Sequence, residues 1–220
     1  MRWFNRSARW GRSAVPALMM AAAVGWVAVI ASRADLPASQ VTQEQVVRGR
    51  YLVASHDCGG CHSGTNGSNP GQGNWLAGAV DENDFFPIGP FKTRARNLTP
   101  DNLTGTGRLT ERQIFNALRY GLRPEDTPDV QITATTPGQG NFPANPKYLA
   151  PPMPWPSWRH MSDQELWDIA SYLKHGIKPV ANKIKDSEGP PDFWASAYTP
   201  DKIGTYPLPI FPAGSEAYQP

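Results

Sequence analysis

The chain has 220 residues, and its 23 prolines and 20 glycines predict one domain with much irregular chain. Charged residues make up only 18% of the sequence, which excludes the strongly basic composition typical of nucleic-acid-binding proteins. The formal net charge is +2, but residues 1–34 carry five arginines and no acidic residue, so residues 35–220 have a net charge of −3. We therefore expect a mildly acidic folded domain that binds no nucleic acid.

Residues 1–34 have the pattern of an export signal. Four arginines within the first twelve residues precede an apolar run over residues 15–31, and Ser32-Arg33-Ala34 offers the small residues of a cleavage site. The run has 17 residues, the lower limit for crossing a bilayer, so an uncleaved N-terminal membrane anchor is equally compatible with it. Both alternatives place the following residues outside the membrane and predict a periplasmic protein.

A short linker over residues 35–41 leads into the first predicted helix. Thr42 and Gln45 have the spacing of a capping box, in which each residue satisfies a backbone N–H of the other. The apolar positions that follow fit one face of a helix that ends near His56.

The sequence Cys58-Gly59-Gly60-Cys61-His62 is the attachment signature of a c-type haem. Cys58 and Cys61 can each form a thioether to one haem vinyl group, and His62 is then carried under the iron as its proximal ligand. The two glycines add no Cβ, so the backbone has room to lie close to the porphyrin.

Other uses of this motif fit the chain less well. A C-x-x-C pair could be a thioredoxin-like redox pair or half of a zinc site, but zinc needs two further ligands and the sequence has no other cysteine. His56 could be a second iron ligand, yet its short tether to the same loop favours a solvated histidine at a helix end. We therefore predict one covalent haem c on Cys58 and Cys61, with His62 bound to the iron.

Residues 63–108 have little periodicity and many turn-forming residues, so we predict a loop that wraps the edge of the haem. Asn97 begins a turn cluster within this loop. Its amide could donate a hydrogen bond to a haem propionate, or it could be satisfied in its own Asx-turn. The sequence leaves both alternatives open.

The second helix has clear boundaries in the sequence. Thr110 and Gln113 form another capping box, and they predict a helix over residues 111–120 that Gly121 ends. The many prolines of residues 122–151 exclude a long element after it.

Met153 stands in a proline-flanked segment, Pro151-Pro152-Met153-Pro154. Because prolines fix φ, such a segment can hold a thioether towards the iron at little entropic cost. His160 or Met161 could bind there instead, the position could be open, and any single Met can also be ordinary packing. We predict Met153 as the distal iron ligand.

A third helix follows, with Ser162 and Glu165 as its capping box and its end near residues 175–176. We assign residues 42–178 to the domain that holds the haem. Residues 179–220 are rich in proline and aromatic side chains, which predicts an extended tail that packs on this domain rather than a separate core.

Between residue 46 and residue 182 the chain resembles a class I cytochrome c domain, in particular those bacterial periplasmic cytochromes that accept electrons beside membrane dehydrogenases. The stretches that carry this resemblance are Arg48 to Val53, Cys58 to His62, Asn97 to Asp101, Thr104 to Gly107, Ala117 to Gly121, Met153 to Asp163 and Ala170 to Leu173.

The resemblance implies a mostly α-helical class I cytochrome c fold, with three or more helices around one covalent haem, long wrapping loops and an extended C-terminal tail. It implies that Met153 is the distal ligand and that Gly49 lets the first helix cross the last beside Tyr172. Residues 130–149 stand out from the family pattern as an insertion.

These features predict a one-electron carrier that is not itself an enzyme. With His62 and Met153 on the iron, both axial positions are filled and no substrate binds. The implied partners are redox proteins, with a dehydrogenase as donor and a cytochrome or oxidase as acceptor. The alternative is a haem-based ligand sensor or a small peroxidase-like enzyme, in which Met153 is off the iron and Arg159 or His160 lies at the distal position.

Overall fold

The computed structural model describes residues 41–64 and 69–219, so the predicted export signal or anchor lies outside the described residues. The described helices are α1 (Gln43–Ser55), α2 (Cys58–His62), α3 (Glu111–Tyr120), α4 (Trp155–Trp158), α5 (Asp163–His175) and α6 (Pro200–Ile203). Two short strands, β1 (Phe86–Ile88) and β2 (Phe91–Thr93), lie between α2 and α3 along the chain. In this part of the chain, every helix is too short or too polar to cross a bilayer.

The three helices predicted from capping boxes are confirmed. Thr42, Thr110 and Ser162 are the N-caps of α1, α3 and α5, and each accepts a hydrogen bond from the backbone N–H three residues later. At the end of α3, Gly121 has φ 66°, a left-handed conformation that a residue with a Cβ rarely adopts. Local sequence signals therefore fix where the long helices begin and end.

The core forms where α1 crosses α5, and α3 also packs against α5. At the crossing, a Cβ on Gly49 would overlap the backbone of Asp168 and come within 2.7 Å of the Tyr172 Cβ. Only glycine lets the two helices approach this closely. This confirms the crossing that the family resemblance implied.

An ion pair flanks the crossing. Arg48 Nε donates to Asp168 Oδ2 at 2.8 Å, and the Asp168 side chain is almost completely buried. The pair holds α1 and α5 together beside the apolar contacts of the core. These contacts come from Leu52 and Val53 of α1 and from Leu166, Ile169, Ala170 and Leu173 of α5.

Residues 63–108 contain more structure than the sequence predicts. β1 and β2 form an antiparallel hairpin in which Phe86 pairs with Thr93 and Ile88 with Phe91, and residues 106–108 form one turn of 3₁₀-helix. Strands of three residues carry too little alternation for a period of two to be visible in the sequence. The hairpin is extended by a bridge between Lys92 and Glu188 of the tail.

Residues 122–149 form no long helix or strand. They make a small second apolar cluster of Leu122, Ile132 and Phe142, with Tyr120 and Tyr148 packed against it. Asn116 of α3 anchors this cluster, because its side-chain amide donates to the carbonyls of Pro128 and Val130 at 2.9 Å each. The segment that the family resemblance marks as an insertion therefore has its own packing centre.

The tail runs back across the domain. Asn182 donates to the carbonyls of Ala77 and Ala79 at 2.8 and 3.0 Å, and Trp194 packs its ring 5.0 Å from the ring of Phe91. After residue 206 the large apolar side chains are exposed, including Leu208, Ile210, Phe211 and Tyr218.

Candidate functional site

Cys58, Cys61 and His62 lie on the short helix α2. The left-handed conformation of Asp57 (φ 53°) reverses the chain after α1, and α2 begins at the next residue. The Cys58 side chain is buried and that of Cys61 is exposed, and both are free thiols. A single helical turn therefore places the three side chains of the motif next to one another.

The indole of Trp75 holds α2 in place. A Cβ on Gly59 would overlap the Trp75 ring, and Trp75 Nε1 donates to the Tyr172 hydroxyl of α5 at 2.9 Å. A Cβ on Gly60 would come within 2.6 Å of the Asp57 carboxylate oxygen Oδ1. Both glycines therefore make room for neighbouring protein groups, and the room that they leave for the porphyrin stays a prediction.

His62 is oriented by a backbone acceptor. Its Nδ1 lies 2.7 Å from the carbonyl oxygen of Arg96, which accepts only if Nδ1 carries the hydrogen. In the neutral ring, Nε2 then has a free lone pair. A backbone carbonyl on the second ring nitrogen is the usual partner of an iron- or zinc-binding histidine. Burial lowers the pKa of His62, and the Arg96 carbonyl opposes this, so burial favours the neutral ring.

The two thiols differ in their surroundings. Burial raises the pKa of Cys58 to about 12. The pKa of Cys61 is also raised, first by partial burial and then by the carboxylates of Asp57 and Asp84. The carboxylates of Asp57 and Asp84 therefore lie near the exposed cysteine.

Met153 is half-buried and packs against the main core, the cluster to which Cys58 also belongs. Its segment is a tight turn, in which Met153 N–H donates to the Ala150 carbonyl and its own carbonyl accepts from Trp155 N–H, both at 2.9 Å. The structure thus brings Met153 and Cys58 to the same apolar cluster although they lie far apart in the sequence.

The two alternative distal ligands, Met161 and His160, lie in surroundings that differ from each other. Met161 packs against the same core, and its carbonyl accepts from Arg119 Nη1 at 2.8 Å. His160 has its ring 5.9 Å from the ring of Tyr206 in the tail. Its Nδ1 is buried and has no hydrogen-bond partner among the described residues. Burial and the charges of Arg159 and Arg119 lower its pKa.

Asn97 is satisfied by protein groups. Its side-chain Nδ2 donates to Thr104 Oγ1 at 3.0 Å and to the Val180 carbonyl at 2.8 Å, while Oδ1 accepts from the N–H and hydroxyl of Thr99. The hydrogen bond from the Thr99 N–H closes the Asx-turn that the sequence left open as one alternative, and the propionate contact of Asn97 stays a prediction. His56 likewise contacts the Leu52 carbonyl at 2.9 Å through Nδ1.

Two functional neighbours were missed by the sequence reasoning. Arg96 acts through its backbone carbonyl, which leaves no signal in residue type. Trp75 lies in a stretch rich in glycine and asparagine, where a single large aromatic residue was the available sign of a buried contact.

The residues present suit a covalently bound haem. Two thiols and a histidine with its Nε2 lone pair free lie on one helical turn, and a thioether lies in the cluster that includes one of these thiols. The histidine and the thioether are the ligand types that hold iron in electron-transfer haems.

Comparison with known proteins gives the same assignment. A sequence model of the cytochrome c family matches residues 46–176. The chain is 29% identical over 191 residues to the gluconate 2-dehydrogenase cytochrome c subunit of Pantoea cypripedii, covering 83% of this chain and 36% of that protein.

Two other relatives are similar. One is the cytochrome c subunit of the quinone alcohol dehydrogenase of Gluconobacter oxydans, 30% identical over 173 residues, covering 78% of this chain and 30% of that protein. The other is the fructose dehydrogenase cytochrome subunit of Gluconobacter japonicus, 29% identical over 135 residues, covering 61% of this chain and 22% of that protein. The chain therefore spans about a third or less of the length of these relatives.

Proposed function

This chain belongs to the cytochrome c family, and on that premise we propose that it is a periplasmic one-electron carrier with one haem c ligated by His62 and Met153. Cys58 and Cys61 are the proposed attachment points. The chain's two cysteines suffice for one covalent haem. The observation that carries the proposal is the 2.7 Å contact between His62 Nδ1 and the Arg96 carbonyl, because it turns Nε2 into the free ligand atom.

Each residue has a defined task in this proposal. A bound haem supplies the one-electron couple. Cys58 and Cys61 fix its position on α2, and the Arg96 carbonyl orients the imidazole of His62. The Met153 thioether would be the second protein ligand of the iron and would leave no position open to a substrate, and a His/Met pair favours the reduced state relative to two histidines.

The partners follow from the relatives. Three of them carry names of cytochrome subunits of gluconate, alcohol and fructose dehydrogenases. We propose that a membrane-associated dehydrogenase is the electron donor of this chain and that a cytochrome or oxidase is the acceptor. The apolar run over residues 15–31 would export the chain or anchor it to the inner membrane.

The ligation is tested by exchanging each methionine of the core for leucine. Met153→Leu and Met161→Leu are matched changes of nearly equal volume, so packing is preserved in both. The wild-type ferric protein is expected to show the weak far-red absorption band of sulfur–iron ligation, and the ferrous protein to resist carbon monoxide. Met153→Leu should lose the band and bind carbon monoxide at least about tenfold faster, because the position is then open. Met161→Leu should behave as wild type.

Two results would contradict the ligation of the iron by Met153. If wild-type ferrous protein binds carbon monoxide readily, or if Met153→Leu leaves the band unchanged, Met153 is not the ligand. An open position in the wild type would favour the sensor or peroxidase-like function instead.

A further inference from the structure

The tail contacts the chain just before Met153. Trp194 Nε1 donates to the Tyr148 carbonyl at 3.4 Å, and the Tyr198 hydroxyl donates to the Leu149 carbonyl at the same distance. The rings of Tyr198 and Tyr148 lie 5.5 Å apart. Trp194 is itself buried, so this end of the contact is fixed in the domain. The tail therefore contacts the upstream flank of the Met153 segment, which is also bonded to the end of α3 through the Leu149 N–H and the Gly121 carbonyl at 2.7 Å.

The tail also contacts the chain just after Met153. The ring of Tyr198 packs edge-on against that of Trp155 at 5.0 Å, and Arg159 Nη2 donates to the Gly204 carbonyl at 2.7 Å. The Arg119 guanidinium lies 4.8 Å from the ring of Tyr206, a cation–π distance. We call residues 194–206, which reach both flanks, the brace.

The Met153 segment has few anchors of its own. Among the described residues, every backbone hydrogen bond of residues 150–154 is made to a partner no more than four positions away. Three of these five residues are prolines, which have no N–H to donate. The position of Met153 is therefore set by its own contact with the core and by the residues on each side of the segment, and the brace contacts the residues on each side.

We propose that the brace is a positioning element for the distal ligand: it holds both flanks of the Met153 segment and thereby keeps the thioether on the iron. This inference rests on the proposed ligation by Met153. A brace that is loosened leaves α1, α2 and the attachment motif in place, because their contacts with α5 do not involve residues 194–206. A loosened brace raises the fraction of molecules in which the distal position is open, and the rate of carbon monoxide binding measures that fraction.

The test compares two tyrosines of the tail in the full-length holoprotein. Tyr198→Ala removes the contacts of the Tyr198 ring with the rings of Tyr148 and Trp155. Tyr218→Ala changes a side chain that is 77% exposed. We expect Tyr198→Ala to bind carbon monoxide about tenfold faster than wild type and to weaken the far-red band, with an unchanged content of covalent haem. Tyr218→Ala should match wild type in every measurement.

A second variant covers the case in which Tyr198→Ala does not fold. Tyr206→Ala removes a ring that is 42% exposed and should be tolerated, and it loosens the downstream flank alone. An increase of about threefold in the carbon monoxide rate is expected for it. If the folded brace variants bind carbon monoxide at the wild-type rate, the brace has no positioning role.

The two proposals fail in different ways. Wild-type behaviour of Met153→Leu would overturn the ligation and the brace together. Loss of the band in Met153→Leu with wild-type behaviour of Tyr198→Ala and Tyr206→Ala would overturn only the brace.

Discussion

The crossing of α1 and α5 and the brace both support the candidate site, but they do so by different means. At the crossing, two long helices meet through a glycine, a buried carboxylate and a continuous apolar core. The brace consists of irregular chain and the short helix α6, held by aromatic rings, two arginines and backbone carbonyls. The crossing supports α2, which carries the attachment motif, and the brace supports Met153.

Because of this difference, global stability and the retention of the distal ligand should depend on different parts of the molecule. Global stability depends on the crossing, because the α1 and α5 residues that meet there belong to the main apolar cluster of the described residues. The retention of the distal ligand depends on the brace. A change at the crossing should therefore lower the free energy of unfolding and leave the far-red band of the folded fraction unchanged. A change in the brace should weaken the far-red band and leave the free energy of unfolding nearly unchanged.

The largest effect is expected at Gly49. In Gly49→Ala the new Cβ would overlap the Asp168 carbonyl, so α1 has to move away from α5. The free energy of unfolding should fall by about 3 kcal/mol, the upper end of the usual range for overpacking, even though alanine is the better helix former. The measurement is denaturant unfolding of the holoprotein, with the far-red band recorded on the folded fraction.

Gly73→Ala is the matched control for this change. A Cβ at Gly73 has no neighbour within 4 Å, so the free energy of unfolding should change by less than about 1 kcal/mol. Loss of the far-red band in folded Gly49→Ala would show that the crossing also positions the distal ligand, and the separation of the two regions would then be wrong.

A smaller effect is expected for the ion pair beside the crossing. Asp168→Asn keeps the size of a buried side chain and removes the charge that faces Arg48. We expect a loss of about 1–2 kcal/mol in the free energy of unfolding, as for other charge-assisted hydrogen bonds.

Glu44→Gln is the control on the other side of the same arginine. Glu44 also pairs with Arg48, at 2.7 Å, but its side chain is 81% exposed, so water replaces the lost contact. Its effect on unfolding should be much smaller than that of Asp168→Asn. Equal effects of the two changes would mean that burial of Asp168 contributes nothing to the pair.

The two regions also differ in how far the sequence predicts them. The boundaries of α1, α3 and α5 follow from residues three positions apart, because capping is a local interaction. The motif on α2 is local for the same reason. The brace depends on contacts such as Arg159 with Gly204 and Tyr198 with Tyr148, between residues more than forty positions apart. Neither composition nor periodicity specifies which distant groups meet, so the sequence predicted a packed tail without its partners.

The smallest effect is expected where the tail begins, outside both regions. Asp101 accepts hydrogen bonds from the Thr104 hydroxyl at 2.8 Å and from the Thr104 N–H at 2.7 Å, and Thr104 in turn accepts from Asn182 N–H at 3.1 Å. The hydrogen bond from the Thr104 hydroxyl is the largest cause that lowers the pKa of Asp101 below its usual value.

The sign of the pH effect follows from this shift. A carboxyl whose pKa is lowered by folding stabilises the protein above its unfolded pKa of about 3.9 and loses that stabilisation as the pH falls through the folded value. Wild type should therefore be more stable than Asp101→Asn at pH 7, and the difference should shrink towards pH 3. The measurement is a set of unfolding curves over this range, with Asp186→Asn as the control because that side chain is 99% exposed. A difference between wild type and Asp101→Asn that does not change with pH would show that the Asp101 charge has no part in holding the turn. In that case the start of the tail is fixed by its neutral hydrogen bonds alone, as the brace is fixed at the Tyr148 and Leu149 carbonyls.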